Sequence, residues 1–302
     1  MTTRSTKLWI GLGAFVLAAQ AAEPASAAKL ARAATVSPRG LGEVGLLLAQ
    51  SSGGGECGEG AECAPEGGEG GEGGEGGEGG EGGEAGASAD PVANDTAYLH
   101  QLGQIAGHLA VGVELYRAGE REAAATHMKH PGDELYATLE PALEARNAPA
   151  FDGELEQLAQ KVETGAPQAE VETAYAELRQ RLEAAAEAAP GWSDPAVVLQ
   201  AVQRLVRTAG EEYEEGVEGG RVVNPHEYQD ALGFVRTAEE AVARLKQRGA
   251  GHPELFAKVE RELEALDAAL PGVVPPEQVS ADASLFHGAA ARIEIALLSL
   301  EW

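Results

Sequence analysis

Cysteine, aromatic residues, basic residues and long apolar runs are all scarce in this chain, and each scarcity removes a class of protein. Two cysteines, Cys57 and Cys63, cannot build a disulfide-dense scaffold or a four-cysteine zinc site. Aromatics make up only 5% of residues, and Ala, Leu, Glu, Gln and Arg dominate from about Pro91 onward. Lys and Arg number 22 against 49 Asp and Glu, a formal charge of -27 that repels phosphate backbones and anionic lipid heads. Nucleic acid is therefore excluded as a partner, and cationic partners are favoured. Beyond the N-terminus no stretch approaches 18 uninterrupted apolar residues, so the chain is not expected to span a membrane. Catalytic signatures are missing too. No His-Glu-x-x-His helix, Gly-x-Ser-x-Gly elbow, phosphate-binding Gly-x-x-x-x-Gly-Lys loop or imelysin-like His-x-x-Glu pair occurs, and nothing argues for an enzyme.

What is present begins with an export signal. Arg4 and Lys7 precede an apolar run from Leu8 to Ala22, followed by Ala25-Ser26-Ala27, the small residues a signal peptidase requires. Residues 1–27 are read as a signal peptide, and the mature protein as periplasmic or secreted. From 28 to 90 the chain reads as a disordered Gly/Glu-rich linker. Glu66, Glu69, Glu72, Glu75, Glu78, Glu81 and Glu84 recur every third residue, with no apolar side chain to offset the entropy of ordering. The tract serves as a plain linker or as a weak multivalent cation sponge. Cys57 and Cys63, six positions apart in an exported chain, are expected to close a small disulfide loop.

From Pro91 onward the pattern is helical. Leu99, Leu102, Ile105, Leu109 and Val113 form one apolar stripe. Others run through Leu155, Leu158 and Val162, through Leu178, Leu182 and Ala185, and through Leu255, Val259, Leu263, Leu266 and Leu270. Breaks at Gly119, Pro131, Pro149, Gly165, Pro190, Gly219-Gly220, Gly249 and Pro271 divide this region into eight or nine helices. The expected fold is all-α, in antiparallel bundles. A short repeat, Glu114-x-Tyr116-x-x-Gly119 and Glu211-x-Tyr213-x-x-Gly216, suggests two related units, a His-rich one over 91–190 and an acidic one over 191–302.

Two constellations suit a metal ion. His100, His108, His127 and His130 crowd one window beside Glu114 and Glu134. His127 and His130 are three apart and His130 and Glu134 four apart, spacings that share a helical face, and His100 and His108 are two turns apart, aimed at a common centre. The competing reading makes His130 a helix N-cap ahead of Pro131. The second constellation is Glu211, Glu215, His226 and Glu227. There Asn224-Pro225-His226-Glu227 equally reads as a capping box, and Glu211 with Glu215 is a like-charge pair that wants a cation or a basic neighbour. Imidazole with carboxylate suits iron, with copper, zinc and manganese as alternatives.

The stretch Glu212-Tyr213-Glu214-Glu215-Gly216-Val217-Glu218-Gly219-Gly220-Arg221-Val222-Val223-Asn224-Pro225-His226-Glu227-Tyr228 resembles the periplasmic helical extension of bacterial high-affinity iron permeases. The resemblance runs over residues 211–242 and implies iron binding or delivery outside the inner membrane, with an inner-membrane metal transporter as partner. It lands on Glu211, Glu215, His226 and Glu227. The permeases' Arg-Glu-Gly-x-Glu motif is absent. Two other readings stand beside it: a helical interaction module docking a cationic partner, and a ferritin-like metalloenzyme. The latter needs Glu-x-x-His motifs that the chain lacks.

Overall fold

The computed structural model describes residues 89–300; the stretch read as an export signal, the Gly/Glu tract and the cysteine pair lie outside the described residues. Within them the fold is all-α, as expected. Nine α-helices run α1 Asp95–Ala118, α2 Arg121–His130, α3 Tyr136–Ala145, α4 Asp152–Glu163, α5 Gln168–Glu187, α6 Pro195–Gly216, α7 Pro225–Gln247, α8 Pro253–Glu264 and α9 Ser284–Leu297. None of the described helices is long and apolar enough to cross a membrane.

Helix α1 starts where the Asn94 side chain accepts from Ala97 N and stops at Gly119, whose φ of 89° only glycine adopts readily. It is the central helix, with buried residues on most of its circumference. Helices α6 and α7 pack along it and along each other, α2 and α5 also pack on α1, and α9 covers α6. Every residue of the four apolar stripes is buried, and the helices on both sides of residue 190 contribute to one continuous core. Burying a Leu such as Leu109 or Leu158 fully is worth about 1.5–3 kcal/mol.

Two local features depart from the expected breaks. Pro131 does not open a fresh helix. Its φ of -59° continues α2 into a π-helical turn, Pro131–Leu135, closed by a hydrogen bond from Tyr136 N to Pro131 O. His130 is therefore a helical residue (φ -47°, ψ -47°) whose side chain caps nothing, and the N-cap reading fails. Gly219-Gly220 is more than a break: with φ of 57° and 78° the pair makes a primed turn between β1 Val217–Glu218 and β2 Arg221–Val222. This two-stranded hairpin delivers the chain from α6 to α7, and Arg221 bridges on to Gln278 in the α8–α9 connection.

Candidate metal centre

Helix crossings assemble the site. Gly107 on α1 and Gly233 on α7 meet with no side chain between them; a Cβ at Gly233 would lie 2.5 Å from Gly107 O. That contact sets His108 against Asp230. Gly112, one turn further along α1, lets α2 approach: a Cβ there would lie 3.3 Å from His127 Cβ. The Asn224 cap, accepting from His226 N and donating through Nδ2 to Glu227 Oε1, fixes the start of α7. Asn224 is thus the N-cap, but the reciprocal half of a capping box is missing, because the Asn224 backbone N–H bonds Gly216 O and not Glu227; His226 and Glu227 turn toward Asp230.

Four imidazoles surround that one carboxylate. His108 Nδ1 lies 2.5 Å and His127 Nδ1 3.0 Å from Asp230 Oδ1, while His226 Nδ1 lies 3.4 Å from Asp230 Oδ2 and 3.5 Å from Glu227 Oε2. His130 packs its ring 4.5 Å from that of His108 and reaches Glu134 at 3.3 Å. His108, His127 and Asp230 are almost wholly buried. The π turn after His130 widens the helix where His130 and Glu134 lean over the cluster, a distortion that recurs at functional sites.

Proximity here is not hydrogen bonding. His108 Nδ1, His127 Nδ1 and Asp230 Oδ1 have no partner in hydrogen-bond geometry, although each lies within reach of another. For His127 the reason can be followed outward. Gln229 donates its Nε2 to Val273 O, so its Oε1 must accept, and it accepts from His127 Nε2 at 2.9 Å. His127 therefore carries its proton on Nε2 when neutral and points the bare Nδ1 lone pair at Asp230. A buried lone pair facing a buried carboxylate oxygen costs free energy unless a proton or a metal cation lies between them. A ligating histidine whose other N–H is held by a carbonyl-type oxygen has the outer support metal sites use.

The electrostatics follow the same convergence. Burial alone would raise the Asp230 carboxyl, but His108 and His127, when protonated, hold it well below the usual carboxylate range. His226 is raised by its bond to Glu227 against burial, and Glu227 is lowered by His226. His130 is lowered by burial and by His108. Glu212, reaching in from α6, is pushed up to about 9 by burial and by the carboxylates of Asp230 and Glu227. Two sets have ligand atoms near enough together to hold an ion: His108, His127 and Asp230, and His226, Glu227 and Asp230.

The structure therefore gathers His108, His127, His130, Glu134, His226 and Glu227 of the expected residues and leaves four elsewhere. Eight residues of α-helix turn through two revolutions and about 80° more, so His100 faces α6 rather than α7. It bonds Thr208 Oγ1 at 3.2 Å, and burial with Arg204 and Arg207 lowers it to about 4. Glu114 pairs with Arg236. Glu211 is exposed and has its basic neighbour in Arg207, 3.9 Å away one turn back, and Glu215 is exposed as well. Sequence reasoning missed Asp230, Gln229 and Glu212. Asp230 did carry a signal: His226-Glu227-x-x-Asp230 has the spacing of the two-ligand zinc helix with Asp in place of the second His.

The chain is of the broad class of all-helical bundles, and its buried centre gathers imidazoles and carboxylates from facing helices, the place where bundles build their ligand sites. Comparison with known proteins narrows it: residues 188–297 match the family model of the iron permease-associated 4-helix bundle domain. The match takes in α6 to α9 and ties this half of the chain to iron transport systems, extending the resemblance seen over 211–242. No curated protein and no solved structure matches the chain. His226, Glu227, Asp230 and Glu212 fall inside the matched region, and His108, His127 and His130 before it.

Proposed function

We propose that this protein binds iron as cargo at the His108–His127–Asp230–His226–Glu227 cluster, outside the cytoplasm, and delivers it to an inner-membrane iron transporter. The observation that carries the reading is the convergence of three buried, unpartnered ligand atoms, His108 Nδ1, His127 Nδ1 and Asp230 Oδ1. Mixed imidazole and carboxylate donors suit iron, with manganese, zinc and copper as competitors that availability rather than affinity would exclude. The match to the iron permease-associated domain supports iron over the others and supports a transporter as recipient. The signal-like pattern over residues 1–27 supports a periplasmic location.

Elemental analysis of the protein purified from a bacterial periplasm tests this, alongside anaerobic Fe²⁺ titration. Wild type should retain iron through dialysis, while Asp230→Asn and a His127→Ala/His130→Ala pair should be iron-poor with their helical signal intact. Binding should weaken as pH falls through about 6, where imidazole takes up protons. Equal metal content in all three proteins overturns the reading.

A further inference from the structure

The cluster is organised around two points, not one. His127 and His226 stack with ring centroids 4.4 Å apart and planes only 14° from parallel. An imidazole ligates through a lone pair in its own ring plane, with the metal about 2.0–2.1 Å from nitrogen. Planes so nearly parallel do not meet within a bond length of both rings, so these two histidines serve different ions. Asp230 is divided in the same sense: Oδ1 faces His108 and His127, while Oδ2 faces His226. A carboxylate chelating a single ion would turn both oxygens to one point.

We propose that the site takes two divalent cations side by side, one held by His108, His127 and Asp230 Oδ1, the other by His226, Glu227 and Asp230 Oδ2, with the Asp230 carboxylate as the bridge. This rests on the reading of the cluster as a metal site. The stacking distance is close to the roughly 3.5–4 Å that separates the metals of two-metal centres. Each ion would have two nitrogen or carboxylate donors of its own and a half share of Asp230. His130 and Glu134 lie beside the cluster as further donors from the π turn.

Co²⁺ titration of the full chain, with a moderate chelator present to strip ions held loosely by the Gly/Glu tract, tests the proposal by two readouts. Visible d–d absorption counts tightly held ions of low coordination number, and electron paramagnetic resonance reports whether they are coupled. The expected result is saturation at two equivalents, with a resonance that grows over the first equivalent and is quenched by spin coupling over the second. His226→Ala, at the half-buried start of α7, should bind one equivalent with an unquenched signal. Saturation of wild type at one uncoupled ion overturns the two-ion arrangement and leaves the iron-binding reading standing. Two coupled ions in His226→Ala overturn the assignment of the second site. No absorption at any ratio sinks both readings together.

Discussion

Gly233 of α7 rests on the peptide of Gly107 of α1, close enough that a Cβ at Gly233 would stand 2.5 Å from the Gly107 carbonyl oxygen and 2.9 Å from Val111 Cγ2. The obstacle is largely backbone, which cannot swing aside. Gly233→Ala should therefore destabilise the bundle by about 1–3 kcal/mol and push Asp230 away from His108. Gly153, in the first turn of α4, has nothing within 4 Å of its Cβ position, and Gly153→Ala should instead add about 0.5–1 kcal/mol. Urea denaturation of both variants is the check; equal effects would mean the crossing is looser than described.

Gln229 orients His127 without being placed to ligate. Gln229→Leu removes the acceptor for His127 Nε2 and frees the ring to choose the other tautomer. Metal affinity should fall about 10–100-fold, read by competition against a chelator, while circular dichroism stays helical. Unchanged affinity would show that the tautomer is fixed by something other than this amide.

Glu212 makes the metal-free protein sensitive to alkali. Its folded-state value of about 9 lies above the ordinary 4.5, so the unfolded chain sheds this proton first. Its contribution to stability is complete below about pH 4.5 and drains away as pH rises toward 9. Thermal midpoints of wild type and Glu212→Gln across that range should diverge, the variant falling less on the alkaline side. Parallel curves would contradict the burial of this carboxyl among Asp230 and Glu227.

His100 acts in the other direction. Burial and Arg204 and Arg207 lower it to about 4 from 6.5, so it folds in the neutral form. The unfolded chain takes up the proton first, and stability present above pH 6.5 is lost as pH drops from there toward 4. His100→Gln, which can keep a bond to Thr208, should remove roughly 2 kcal/mol of that acid-side loss. Denaturation at about pH 7 and pH 4.5 compares the two.

The apolar stripes were legible because a period of 3.6 survives any arrangement of neighbours: Leu99 through Val113 and Leu255 through Leu270 are buried where the periodicity puts them. Half of the cluster was legible for the same reason, since the spacing of His127, His130 and Glu134 is a property of one helix. Asp230 was not, because its role depends on a crossing with α1 more than a hundred residues earlier, set by two glycines whose meaning appears only in contact. Glu212 was missed by a single step along α6. Glu211 and Glu215 share a like-charged exposed face, while one residue and about 100° of rotation bring Glu212 inward. The hairpin escaped notice because Gly219-Gly220 looks the same ending a helix as turning a ribbon.

The cage takes His226, Glu227 and Asp230 from the region that matches the iron permease-associated domain, and His108, His127 and His130 from the chain before it. On the proposed reading, a cation seated there would fasten α1 and α2 to α7 as a removable rivet. At a hundredfold excess over Kd it would add about 2.7 kcal/mol to the assembled form alone. Residues 188–297 by themselves would keep the stretch that matches the domain model and only one wall of the cluster. The stretch that the domain model matches is thus smaller than the unit that would carry the metal, and loading would report on whether the two halves are joined.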